Sequence, residues 1–280
     1  MDFNNLIEEI VKADPEFPDR VSPRRDAIKN ITSFGSKVAV AALPFAFTTL
    51  FKKAYGQALS STVIDVLNFA LTDEYLESNF YNTFVKSGSY IPATDLPGLQ
   101  LIQTDENNHT KFLLGVLGSN ALPESSFTFD FTGGKGSNSG PYAAVYTDYN
   151  MFLAVAQTFE DTGVRAYKGQ APNLLGNQTV LTAALNIHSV EARHASHLRR
   201  IRQKLGVAIK PWITGTNGAV TGPATAAYAG EDATTQGGVD ITKLNGVNGT
   251  ISTNAATEAF DQPLAKADVL NILSYFVIPK

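Results

Sequence analysis

Two copies of one spacing, Glu106–His109 and Glu191–His194, constrain this 280-residue chain more than any other feature of it. Residues three apart in an α-helix differ by about 60° around the axis and about 4.5 Å along it. The glutamate and histidine of each copy can therefore reach one point beside their helix. A single Glu-x-x-His arises readily by chance. Two of them, on separate amphipathic segments of a chain with only four histidines (His109, His188, His194 and His197), do not.

The rest of the pattern is a duplication. Glu160 stands in an apolar run of Phe152, Leu153, Val155, Ala156, Phe159 and Val164, where an unpaired buried charge is costly and calls for a cation. Tyr167 follows it by seven residues, and Tyr81 follows Glu74 by the same interval. Two helical turns return a side chain to nearly the same face. Glu74 lies 32 residues before Glu106, and Glu160 lies 31 before Glu191. Each half thus repeats the order Glu, Tyr, Glu-x-x-His, and the repeat selects Glu74 rather than Glu77 from the first segment.

Periodicity and breakers predict helices over 60–86, 97–117, 142–168 and 177–203. A Gly/Ser-rich stretch at 123–141 reads as a connection between two helix pairs. Residues 207–262, rich in Gly, Ala, Thr and Asn, read as loops with short strands, and 263–277 as a fifth, shorter helix. The expected architecture is all-α: an N-terminal segment over 1–58, a four-helix bundle with a mid-chain crossover over 59–206, and a loop-rich C-terminal extension over 207–280.

The order E, ExxH, E, ExxH resembles the di-iron and di-manganese carboxylate proteins of the ferritin-like superfamily, over about residues 60–206. Within it the chain is most similar to bacterial ferritin-like domain proteins related to plant desiccation-related proteins. The points of similarity are Asn68-Phe69-Ala70-Leu71-Thr72-Asp73-Glu74-Tyr75-Leu76-Glu77, Glu160-Asp161-Thr162-Gly163 and Phe260-Asp261-Gln262-Pro263-Leu264. The resemblance implies Glu74, Glu106, Glu160 and Glu191 as bridging or chelating carboxylates, with His109 and His194 as terminal ligands. Four carboxylates would balance two divalent ions, and mixed oxygen and imidazole donors suit iron or manganese and do not exclude zinc, with iron the expected metal and manganese the alternative. Ordinary ferritin ferroxidase sites usually lack the second histidine. Its presence resembles manganese catalases, rubrerythrins and oxygen-activating di-iron enzymes, and implies redox chemistry with O₂ or hydrogen peroxide. A manganese-catalase-like peroxide dismutase and a non-enzymatic stress protein with a structural metal are the alternatives.

Five further residues are candidates to support the ligands. Glu77 shares the seam of Glu74, at the repeat position of Gly163. Asp105 is placed to orient a histidine of the opposite helix, namely His194. Tyr81 and Tyr167 are read as core tyrosines whose hydroxyls find partners near the site. His188 lies three residues before Glu191, and is read either as a support for it or as a packed histidine, as is His197.

The N-terminal region resembles an export signal. Arg24-Arg25-Asp26-Ala27-Ile28-Lys29 precedes an uncharged run over 38–51 and small residues near Ala54-Tyr55-Gly56. This is the layout of a twin-arginine signal and implies a periplasmic or other extracytoplasmic protein; the other reading is an amphipathic helix. The run is too short for stable membrane insertion and is broken by Pro44. The absence of cysteine excludes disulfides, thiolate catalysis and Cys-ligated metals. A net charge of −4 with no basic stripe argues against nucleic acid as a partner. Trp212 and the Gly/Thr-rich tail are read either as a cover for the bundle or as a homo-oligomer contact.

Overall fold

The computed structural model describes residues 59–87, 90–246 and 249–280. The export-signal reading falls on residues outside these. Among the described residues, no helix is long and apolar enough to cross a membrane.

Four long helices form the bundle: α1 (Ser61–Ser87), α2 (Leu96–Leu117), α3 (Tyr149–Gln170) and α4 (Gln178–Lys204). Their starts are written in the sequence. Ser60 Oγ accepts from the Val63 amide at 3.3 Å, Asp148 from Asn150 at 2.8 Å, and Asn177 from Val180 at 3.1 Å. Each relieves an otherwise orphaned N–H of a first turn. Pro97 sits in the first turn of α2, where no intrahelical donor is lost. Helix α1 lies against α2 and α3 against α4, as two pairs joined by the crossover.

The third helix starts seven residues later than its periodicity predicts, because residues 143–146 form a short 3₁₀ turn before the Asp148 cap. The crossover is also more than a connection. Its strand β1 (Phe127–Phe129) pairs antiparallel with the last strand of the chain, Val277–Pro279, with Thr128 opposite Ile278. Asp130, Phe131, Thr132 and Tyr142 are buried there. The C-terminal extension contains two short ribbons, β2–β3 (Thr235–Gln236 with Val239–Asp240) and β4–β5 (Asn245–Gly246 with Gly249–Thr250). Two short helices follow, α5 (Thr253–Glu258) and α6 (Lys266–Leu273), and then β6 (Val277–Pro279). The predicted helix over 263–277 is thus only its middle part, since its last residues are drawn into pairing with β1.

Helix α3 is buried on nearly every side, from Phe152 to Tyr167, because the extension covers the face that the other three helices leave free. The apolar interior falls into two clusters. One is aromatic: Phe80 stacks on Phe152 at 5.3 Å and meets Phe159 and Phe131 edge-on at 5.1 and 5.4 Å. Offset and edge-on pairs of this kind add about 0.5–1.5 kcal/mol each beyond area burial. The other is aliphatic, built from Val63, Leu67, Leu113, Leu117, Val180 and Ile187. A layer of charged side chains lies within the bundle that these two clusters fill.

Candidate metal centre

The six residues singled out from the repeat converge in that layer. Glu74 comes from α1, Glu106 and His109 from α2, Glu160 from α3, and Glu191 and His194 from α4. All four glutamates are completely buried, and His109 and His194 are 8% and 5% exposed. His109 Nδ1 lies 3.2 Å from Glu74 Oε2, 3.2 Å from Glu106 Oε2 and 3.1 Å from Glu191 Oε1. His194 Nδ1 lies 2.8 Å from Glu106 Oε1 and 3.1 Å from Glu160 Oε2. The two ring centroids are 6.2 Å apart, with the ring planes tilted by 27°.

These atoms form two overlapping groups, Glu74–Glu106–His109–Glu191 and Glu106–Glu160–Glu191–His194, with the donor atoms of each within 4.8 Å of one another. Glu106 and Glu191, the glutamates of the two Glu-x-x-His spacings, belong to both groups. Shared carboxylates between two sets of terminal donors are what a pair of adjacent cations requires.

Proton bonding cannot satisfy this cluster. An imidazole nitrogen donates one hydrogen, yet His109 Nδ1 faces three carboxylate oxygens and His194 Nδ1 faces two. Glu74 Oε2, Glu106 Oε1 and both Glu191 oxygens are left without a hydrogen-bond donor. Among the described residues, the ion-pair partners of the four glutamates are these two histidines. Buried anions in that condition are expensive unless a cation takes the place of water. The residues fit metal ions, and oxygen plus imidazole donors suit a first-row transition metal.

The electrostatics agree. Burial pushes the Glu106 carboxyl up to about 7, with Glu191 adding to it, and Glu191 up to about 8, with Glu160 adding to it. Burial raises Glu160 as well. Burial alone would discharge the imidazoles, but Glu74 and Glu106 around His109, and Glu160 and Asp105 around His194, hold both well above the usual histidine range. Without metal, the centre retains protons in the space that suits cations.

The surrounding residues fall into three kinds. Tyr81 of α1 donates to Glu160 of α3, and Tyr167 of α3 donates to Glu74 of α1, both at 2.5 Å. Each tyrosine therefore steadies the glutamate of the other repeat. Asp105 Oδ2 stands 3.3 Å from His194 Nε2, so the far nitrogen of that ring has an acceptor and Nδ1 is turned inward. His188 belongs elsewhere: its Nδ1 meets the Val164 carbonyl at 2.8 Å, on the backbone of α3 rather than on a ligand. His197 packs its ring against Gly98, with Nε2 buried and without a hydrogen-bond partner.

Glu77 is fully buried and neither carboxylate oxygen has a donor. Asp73, which the sequence pattern did not single out, is 2% exposed and equally bare. Burial holds both carboxyls well above the usual range, with the neighbouring acids adding to it. The signal for Asp73 was present in the sequence. Asp73 and Glu77 form a like-charge i,i+4 pair, which weakens a helix and has no place in a core without a purpose.

Fold and cluster together define a four-helix bundle with a buried carboxylate–histidine core suited to metal ions. The ferritin-like domain family matches residues 62–204, about half of the chain, and the chain belongs to that family. No curated protein matches it.

Proposed function

We propose that this protein holds two transition-metal ions between Glu74, Glu106, Glu160, Glu191, His109 and His194, and acts in redox chemistry with O₂ or hydrogen peroxide. Glu106 and Glu191 would be shared by the two ions, and their membership of both donor groups is the observation that carries the reading. Iron is the preferred metal and manganese the alternative, which would make the protein a catalase-like peroxide dismutase. Bound metal supplies electron transfer and Lewis acidity. The chain supplies the rest. Tyr81 and Tyr167 hold the outer oxygens of Glu160 and Glu74, Asp105 keeps the His194 proton on Nε2, and the Phe80 cluster excludes water from one flank.

Access favours small reactants. Two cavities, each with room for about one water-sized molecule, share Leu67, Tyr167 and Ala184 in their walls, and Tyr167 is the residue bonded to Glu74. Oxygen and peroxide are of that size. The remaining alternative is a stress protein whose metal serves only as a structural staple, a centre that needs no path to it. Kinship with desiccation-related proteins belongs to the same reading, as does a homo-oligomer built on the C-terminal extension.

Metal content of the protein purified from its native compartment tests the centre. About two iron or manganese ions per chain are expected, lost in Glu160→Ala and His194→Ala. A native protein free of metal, and indifferent to its addition, would sink the reading. Export through the twin-arginine route has its own test. Arg24→Lys combined with Arg25→Lys should leave the protein in the cytoplasm, whereas unchanged export of that double variant would remove the signal from Arg24–Lys29.

A further inference from the structure

We infer that Asp73 and Glu77 form a carboxylate ladder that conducts divalent cations from a cavity between α1, α3 and α4 to the metal centre. The inference rests on the di-metal reading above and concerns how the centre is filled.

The ladder is built on one face of α1. Val66, Ala70, Asp73 and Glu77 succeed one another at spacings of three and four residues, so they line a single stripe. Across from it, α3 presents Gly163, Ala166 and Gln170 at the same spacings. Val66, Ala70 and Asp73 of the first stripe, and Ala166 and Gln170 of the second, line one partly open cavity together with Leu174. Asp73 is its carboxylate, bare on both oxygens.

One turn further in, Glu77 repeats the condition, fully buried and bare on both oxygens. Gly163 connects it to the centre. A Cβ at that position would stand 3.1 Å from Glu191 Oε2 and 3.5 Å from Glu77 Oε1. The missing side chain therefore lets both carboxylates close on one point beside the α3 backbone, and Glu191 is one of the shared ligands. The sequence of anionic groups is cavity, Asp73, Glu77, Glu191.

A stability role does not account for these two acids. Like charges one turn apart repel, and burying them without donors adds to the cost. For a cation the same features are useful. Each carboxylate replaces part of the hydration shell, and neither is occupied by a competing hydrogen bond. The second cavity beside Tyr167 is walled by Leu67, Phe112, Leu113, Val116, Val180 and Ile187 and gives a cation no carboxylate.

The test is the rate at which the metal-free full-length protein takes up Co²⁺, followed by its visible absorption in a stopped-flow instrument. Asp73→Asn and Glu77→Gln keep the shape of each side chain and remove its charge. Acidic, low-dielectric clefts raise cation on-rates by about 10- to 1000-fold, so each variant should load at least ~10-fold more slowly. Asp73→Asn should reach the same Co²⁺ content as the unaltered protein at saturation. Thermal unfolding of the metal-free variants should show a melting point at or above that of the parent, which separates slow loading from misfolding. Loading at the parental rate in both variants would overturn the ladder. A lower saturating content in Asp73→Asn would overturn it too, by making Asp73 a ligand. A parent protein that takes up no Co²⁺ would instead remove the di-metal reading itself, and the ladder with it.

Discussion

Excess Fe²⁺ (without oxygen) or Mn²⁺ should raise the melting temperature of the metal-free protein by roughly 8–16 °C, and by more at pH 8 than at pH 6. A ligand that binds only the folded state at about 1000 times its dissociation constant adds about 4 kcal/mol. For a folded unit of this size, each kcal/mol moves the midpoint by about 2–4 °C. The pH dependence follows from the raised carboxyls. Glu106 and Glu191 titrate near 7 and 8 in the metal-free fold, above the ordinary glutamate value of 4.5. A carboxyl raised by folding contributes stability below its unfolded value, and loses that contribution as pH rises through its folded one. The metal-free protein therefore weakens between about pH 5 and pH 8 on account of these groups, while metal binding gains because fewer protons must leave. Both trends widen the gap between the metal-free and loaded melting curves. Differential scanning calorimetry at pH 6, 7 and 8 measures that gap. A shift of less than about 2 °C at pH 8 would contradict a centre of this kind, and a shift largest at pH 6 would contradict the protonation argument.

The four long helices and the six central residues were legible because both are local in origin. Capping residues, Pro97 and the apolar period mark the helices, and the Glu-x-x-His spacing is a property of single helices. The internal repeat then chose Glu74 over Glu77, and the structure puts Glu74 in the first donor group. What the repeat could not show is which partners meet across the bundle. The seven-residue interval from Glu74 to Tyr81 places each tyrosine near the site without naming the glutamate it serves. The hydroxyls cross, Tyr81 to Glu160 and Tyr167 to Glu74, because α1 and α3 face each other at the level of the centre. Two residues of α3 were passed over for a related reason. Asp161 and Arg165 lie one turn apart on the flank of that helix away from Glu160, and their partners are hundreds of atoms distant along the chain. Long-range pairing leaves no periodic trace in sequence. In the C-terminal extension the short strands and the middle of the last helix were legible, but its path was not, since that is fixed by what it docks onto.

Arg165→Met should destabilise the protein by about 3–5 kcal/mol, the usual result of removing one partner of a buried ion pair. The guanidinium is 1% exposed and gathers two separate stretches of the extension. It donates from Nη1 to the Ala227 carbonyl, from Nη2 to Ala229 at 2.6 Å and from Nε to Gln262 at 2.7 Å, and it pairs with Glu231 Oε1 at 2.7 Å. Its own carbonyl accepts from the Leu264 amide at 3.2 Å. One turn on, Gly169 permits this approach, because a Cβ there would fall 2.0 Å from the Leu264 carbonyl oxygen. Beside the anchor, Asp161 receives both Arg199 nitrogens and the Tyr228 hydroxyl, so the two charged residues of α3 clamp opposite sides of one covering segment. Methionine fills most of the space but leaves the buried Glu231 with the Gln262 amide in place of a cation, and three carbonyls without the guanidinium donors. The penalty therefore lies mainly in what remains behind. Adding Glu231→Leu to Arg165→Met should return part of the lost stability, and a double-mutant cycle read by chemical denaturation measures how much. Proteolysis should find the 207–262 segment in the single variant before it attacks the bundle, and the metal content should hold, since none of the six central residues touches Arg165. A single variant as stable as the parent would show that the extension is held by its apolar contacts, Tyr228, Leu264 and Phe276 among them, and that Arg165 only fills its place.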